Sequence, residues 1–261
     1  ENGGKTIIYL KNNKMKPKKI VFIDIETAPQ TPSYNQLNEE MAGLWNEKYE
    51  QIKKRTPEKF TEDSNPVNSY SNTGLFAEFG KIICISVGFQ FIRNQERHFR
   101  VKSFYQDDER ELLLTFRELL LNIEKKGYQL CGHNIKEFDV PYIARRMLIL
   151  NIPLPNILNL SKFKPWETPI IDTMDLWKFG DYKHYTPLKL LCTILDVESP
   201  KNDIDGSKVA YVYYEEKDIK RIATYCQNDV IATAQIYFRI NGLPLLEKDK
   251  IDYIESEVGK N

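Results

Sequence analysis

Apolar residues recur along this chain with two periods. Ile20, Val21, Phe22, Ile23 and Ile25 form a nearly unbroken run that ends in Thr27 and Pro29, the pattern of a buried strand. Lys81 to Ile92 reads as a second strand, and Arg97 to Tyr105 as a third, paired with it as a hairpin across residues 93–96. Between the first two strands, Gln36 to Arg55 places Leu37, Met41, Leu44, Trp45 and Tyr49 near helical spacing. Thr61 to Gly74, rich in Ser, Asn and Pro, is expected to be a mobile loop. Asp107 to Lys126 is an amphipathic helix, opened by acids and closed by Lys-Lys-Gly, as the helix dipole prefers. Tyr128 to His133 is a short strand, Asp139 to Asn151 a helix with Pro141 in its first turn, and Pro169 to Leu176 a further strand. Pro187 to Leu195 is helical, Asp196 to Ser207 a polar loop, and Glu215 to Ile240 a long helix broken near Glu216. A helix over Leu245 to Glu257 is expected to close the chain. Three strands followed by alternating strands and helices predict an α/β fold with a mixed five-stranded sheet covered by helices on both faces.

The chain has 261 residues, enough for one large α/β domain, and no internal repeat. We read residues 1–18 as an N-terminal extension, 19–261 as a single domain, and 31–80 as a helical and loop insertion between the first two strands. Met15, just before the first strand, is read as lying near the natural start. Lysine plus arginine number 37 and so do aspartate plus glutamate, which argues against a protein that coats nucleic acid through bulk charge. A local grip on a few nucleotides remains compatible with that balance. Cys84, Cys131, Cys192 and Cys226 are far apart in apolar surroundings, without a C-x-x-C pair, and read as buried free thiols in a reducing, cytoplasmic setting. No apolar run approaches a membrane span, and no membrane partner is expected.

The first strand poses a chemical problem. Asp24 and Glu26 lie two apart, so both point to one face of an apolar strand. Neighbouring like charges there are costly unless a cation lies between them, and the strand itself offers no Lys or Arg. A divalent metal ion would resolve this; acids at a frayed, wet strand end are the alternative. Farther on, Gly132-His133-Asn134 turns out of a strand and Asp139 opens a helix, where an N-cap is its simplest role. Asn134 then reads as a turn residue, and Phe138 as a hydrophobic staple or core side chain. In the last long helix, Tyr225 and Asp229 are four apart on one face, and Val-Ile-Ala-Thr-Ala follows the acid. An exposed acid beside a stacking tyrosine is the plain reading of that pair.

Strand-Asp-x-Glu, turn-Asn-x3-Phe-Asp and helix-Tyr-x3-Asp occur here in that order. This resembles the DEDDy branch of the DEDD 3′-5′ exonucleases, whose fold is ribonuclease H-like. The stretch Asn134-Ile-Lys-Glu-Phe138-Asp139-Val-Pro141-Tyr142 is similar to the proofreading domain of family B DNA polymerases. Asp203 to Val209, DIDGSKV, resembles stand-alone bacterial exonucleases related to that domain. The resemblance runs from about Lys19 to Arg239 and includes no polymerase palm. It implies that Asp24, Glu26, Asp139 and Asp229 hold two Mg²⁺ or Mn²⁺ ions, with Tyr225 orienting the attacking water and helping to take its proton. Hard oxygen donors suit those ions. It implies a single-stranded 3′ end as substrate, DNA favoured over RNA, with nucleoside 5′-monophosphates as products and a replication or repair partner. Substrate contacts are expected from the backbone at Ile25 to Thr27, from Asn134 and from Phe138. Arg145, Arg146, Lys162 and Lys164 are candidate phosphate contacts, against ordinary solvated charge. Trp166, Trp177, Tyr211, Tyr213 and Tyr214 are candidate stacking residues, against packing. His133 and His184 are expected to be structural.

Three rivals stay open. An exoribonuclease would use the same site. Asp24-Ile25-Glu26-Thr27 also resembles the nucleophile strand of haloacid-dehalogenase-type phosphatases, which would make Asp24 a covalent nucleophile. A metal-binding interaction module without activity is the third.

Overall fold

The computed structural model describes residues 18–164, 167–181, 185–198 and 204–254. Strand β1, Ile20–Pro29, lies inside the sheet, antiparallel to β2, Gly80–Arg93, on one side and parallel to β4, Gln129–Gly132, on the other. Strand β3, Glu96–Phe104, continues the hairpin from β2 through Asn94 and Gln95, both at positive φ as a tight two-residue turn requires. Strand β5 is only Ile171–Asp172, parallel to β4, and β6, Ile251–Ile254, runs parallel to β3. The order is therefore β5-β4-β1-β2-β3-β6, six strands where five were expected. The extra strand arises within the stretch expected as a closing helix. There Ile251 and Tyr253 alternate with Asp252 at the strand period, and the edge of β3 offers unpaired backbone groups.

Alternation along β1 sorts its side chains onto two cores. Val21, Ile23 and Ile25 pack with Leu112, Phe116 and Leu120 of helix α2, Glu109–Lys125, and with Val140, Ile143 and Met147 of α3, Asp139–Ile149. Ile20 and Phe22 face the other way, onto Val230, Ala234 and Phe238 of the long C-terminal helix. Asp24 and Glu26 continue that second row, so the acids point toward the C-terminal helix.

In chain order, α1 is Glu39–Arg55, α4 Thr173–Lys178, α5 Leu188–Ile194, α6 Val209–Tyr211 and α7 Ile219–Ile240. The break expected near Glu216 falls at Lys217, which is left-handed (φ 55°) between a π-helical stretch, Val212–Glu216, and α7. Helix α7 lies close to the sheet because small residues stand beneath it. A Cβ on Gly88 would come within 2.4 Å of Phe99 and 2.8 Å of Val230, and Ser86 and Ser103 bond to each other at 2.8 Å. The stretch expected as a strand over Pro169 to Leu176 is mostly α4, because Asp172 caps that helix by accepting from the Met174 amide at 2.9 Å.

Thr61 to Gly74 is not a free loop at its C-terminal end. Tyr70, Thr73 and Gly74 are buried, and the Gly74 carbonyl accepts hydrogen bonds from Thr27 Oγ1 (2.8 Å) and Tyr142 Oη (2.9 Å). Trp45 and Tyr49 of α1 form a small core of their own with Tyr70 and Phe79. All four cysteines are buried and unpaired. No helix among the described residues is long and apolar enough to cross a membrane.

Candidate active site

Three elements bring carboxylates to one place. Asp24 and Glu26 come from β1, Asp139 from the first turn of α3 and Asp229 from α7. Strand β4 pairs with β1 only as far as Phe22 and turns away after Gly132, leaving the next amides of β1 without a strand partner on that side. Asp139 fills the gap: the Ile25 N–H donates to its Oδ1 at 3.1 Å. Asp139 is thus the first residue of α3, with Phe138 at the cap position, and its carboxylate serves β1 instead of capping its own helix. A second acid, Asp172, shapes the approach. It accepts from the amides of Asn134 (2.9 Å) and Lys136 (3.2 Å), tying β5 to the turn that aims Asp139. Sequence reasoning passed over Asp172, although an acid ending a strand before a helical pattern is a visible signal.

On the helix side, Cys226 packs directly against the acids. Its thiol donates to Asp24 Oδ2 at 3.3 Å, and ligand atoms of Asp24, Glu26 and Cys226 lie within 4.8 Å of one another. Asp229 lies one turn on and is hydrogen-bonded by the Tyr225 phenol.

The electrostatics follow from burial. Burial, then Asp229 and Asp139, hold the Asp24 carboxyl well above the usual range. Glu26 is raised in the same way, by burial first and then by Asp24 and Asp229. Burial lifts Asp139 to about 7 against its hydrogen bonds, and lifts Asp229 to about 6 although Tyr225 pulls it down. Among the described residues no lysine or arginine is one of the groups that set these values. Burial and the neighbouring acids also push the Tyr225 phenol far above its ordinary value, so it keeps its proton and donates. Cys226 is likewise held as a neutral thiol, by burial first and then by Cys84. The donors at the site are carboxylate oxygens with the Cys226 thiol beside Asp24, a mainly oxygen set that fits Mg²⁺ or Mn²⁺ better than zinc.

The structure thus brings together Asp24, Glu26, Asp139, Tyr225 and Asp229. The expected substrate contacts stand differently. The Ile25 amide is committed to Asp139 and its side chain to the core. The Thr27 hydroxyl is committed to the Gly74 carbonyl. Asn134 sits in the left-handed region (φ 60°), the turn role expected of it, with its Oδ1 buried and unpaired among the described residues. Phe138 is partly buried with its ring 5.4 Å from that of Tyr142.

Arg146 is a correction. It is 4% exposed and bonds both carboxylate oxygens of Glu109, at 2.9 and 2.6 Å, so its charge is spent inside the fold and not on phosphate. Arg145 is exposed; Lys162 bonds Asn156 at 3.3 Å, and Lys164 lies 3.8 Å from Glu167. His133 is structural, its ring nitrogens 2.9 Å from Thr173 Oγ1 and from the Thr186 carbonyl. Trp166, His184 and Asp203 lie outside the described residues. Trp177 packs against the core under α5.

Residues 75–255 match the family model described as predicted 3′-5′ exonuclease related to the exonuclease domain of PolB. The matched stretch begins after β1, so it carries Asp139, Tyr225 and Asp229 but not Asp24 or Glu26. Among solved structures, the family B DNA polymerase from the hyperthermophilic archaeon Pyrobaculum calidifontis is similar, with 15% identity and a TM-score of 0.51 over 86% of this chain. The chain spans about a quarter (24%) of that polymerase, and at this identity the likeness is one of fold. No protein of curated function matches the chain. The fold is the ribonuclease H-like α/β fold. With more than half of its length inside the family model, the chain belongs to the predicted 3′-5′ exonucleases related to the exonuclease domain of PolB.

Proposed function

We propose that this protein is a metal-dependent 3′-5′ exonuclease that shortens single-stranded nucleic acid, DNA in preference to RNA, and releases nucleoside 5′-monophosphates. One observation carries the reading: four carboxylates from three elements converge in a buried site with no lysine or arginine of the described residues among the groups that set their charge. Asp24, Glu26, Asp139 and Asp229 are the residues that would hold two Mg²⁺ or Mn²⁺ ions. Such a pair supplies positive charge to the attacking and leaving oxygens of an in-line phosphoryl displacement.

The chain's own residues set the geometry. Asp24, at the centre, is fixed by the Cys226 thiol. Asp139 is fixed by the β1 backbone. Tyr225, still protonated and bonded to Asp229, would orient the attacking water, with Glu26 nearby to help take its proton. Phe138 and Asn134, on the turn before Asp139, would meet the terminal nucleotides. A replication or repair role would follow from DNA as substrate.

The test is a gel assay on 5′-labelled DNA and RNA single strands of one sequence, with Mn²⁺, Mg²⁺ or EDTA, beside Asp24→Ala. A metal-dependent ladder retreating from the 3′ end, absent in the variant, is expected. Faster loss of the RNA would move the assignment to an exoribonuclease. No shortening with any metal would overturn it.

A further inference from the structure

The segment between β1 and β2 builds a groove of its own. A cavity of about 320 Å³ opens where β1 ends, bounded by Pro29, Pro32, Tyr34 and Tyr70 on one side and Tyr211 and Tyr214 on the other. We propose that this groove receives a base of the unpaired strand upstream of the nucleotide being cleaved; the inference rests on the exonuclease reading for its class of ligand.

Position supports it first. Pro29 follows Glu26 by three residues, about 10 Å along the strand. Tyr214 Oη donates to the Pro29 carbonyl at 2.5 Å. Tyr214 and Tyr225 pack on one apolar cluster that includes Ala28, Cys84 and Cys226, so groove and acids share a support.

Preorganisation is the second argument. Tyr34 and Tyr70 meet edge to face at 6.2 Å, and their hydroxyls are held by Asn46 (3.0 Å) and Thr31 (2.7 Å). Their rings are therefore fixed before any ligand arrives. Tyr211, across the groove, is 59% exposed, a large aromatic face left to solvent.

Chemistry selects the occupant. Rings and prolines offer flat apolar faces for stacking, and Asn35, Asn68 and Glu215 offer acceptors and donors to base edges. Among the described residues no lysine or arginine lines the cavity, so it suits a base and not a phosphate. Beside the groove stands Lys81, whose ammonium lies 4.7 Å and 5.2 Å from the ring centres of Tyr213 and Tyr214, where a backbone leaving the groove would meet it.

The experiment uses the full chain in EDTA, which stops metal-dependent turnover, and oligodeoxynucleotides carrying 5-iodouracil at successive positions from the 3′ end. Photo-crosslinking with peptide mapping is expected to place Tyr211 or Tyr34 on one internal position. Fluorescence anisotropy on the same strand is expected to show about tenfold weaker binding for Tyr211→Ala and near-native binding for Tyr211→Phe, which keeps the ring. Cross-links elsewhere, with equal binding by both variants, would overturn the groove while strand shortening by the wild type in Mn²⁺ left the exonuclease reading standing. A Tyr211 cross-link without shortening would keep the groove and sink the exonuclease. Failure of the wild type to bind any strand, with capture of a proline-rich peptide lost in Tyr211→Ala, would overturn the proposal in favour of a protein partner.

Discussion

Charge is buried both at the Glu109–Arg146 pair and at the acid cluster. At the first, a carboxylate and a guanidinium meet through two hydrogen bonds, and the remaining donors and acceptors find the Ile82 amide, the Ala77 carbonyl and Gln30. Everything needed to neutralise that charge is in the chain. At the second, Asp24 and Glu26 are raised by burial and by the acids around them, and no lysine or arginine of the described residues is among the groups that set their charge. A buried pair that closes on itself is a fastening between α2, α3 and β2. A buried cluster left open in charge is a site waiting for a ligand of opposite sign.

The contrast is sharpest in substitutions. Asp24→Asn is expected to lower strand shortening at least about a thousandfold, about 4 kcal/mol in barrier, while leaving the metal-free melting temperature level or raised, since it relieves repulsion. Gel assay and thermal unfolding in EDTA check the two halves. Arg146→Ala should do the reverse, destabilising the fold by about 3–5 kcal/mol in urea unfolding, because it strands the Glu109 carboxylate. If both variants lost stability equally, the distinction between fastening and site would collapse.

Proton uptake separates the two regions next. Asp139 rises from 3.8 to about 7 and Asp229 from 3.8 to about 6. The folded, metal-free chain therefore holds these protons more tightly than the unfolded chain. Their stabilising contribution is complete below about pH 4 and is lost as pH climbs through 6 to 7. Melting in EDTA should thus be higher at pH 5 than at pH 8. Added Mg²⁺ should stabilise more at pH 8, where the acids are ionised. A flat EDTA profile would mean that burial does not raise these carboxyls in the folded chain. The smallest effect is assigned to Tyr225→Phe. With the phenol a donor and not a base, about a tenfold loss of rate is expected, below the usual contribution of a general base of about a hundredfold or more. Its melting temperature should not move.

The candidate site of this chain was legible because its signals are local. Asp24 and Glu26 share a face by strand period, and Tyr225 and Asp229 by helix period, so each pair could be placed before any tertiary contact was known. What stayed hidden depends on contacts far apart in sequence. Arg146 finds Glu109 across 37 positions, and Asp172 reaches back to Asn134 across 38. Neither contact is visible as a pattern. The closing strand was misread because short apolar runs fit either period, and only the open edge of β3 decides between them. Asp139 was half legible: the helix start was seen, but a carboxylate standing in for a missing strand was not.

That closing strand has a consequence for handling the protein. β6 covers β3 from Phe99 to Lys102 and is pinned by Asp252 to Arg93 and Arg100. It is the guard on an otherwise open sheet edge. Trimming the chain before Ile251 would leave those β3 backbone groups unpaired and two arginines without their carboxylate. Asp24 and Glu26 lie on β1, across β2 from that edge, so such a chain should keep those acids in place and lose solubility, as exposed edges recruit copies of one another.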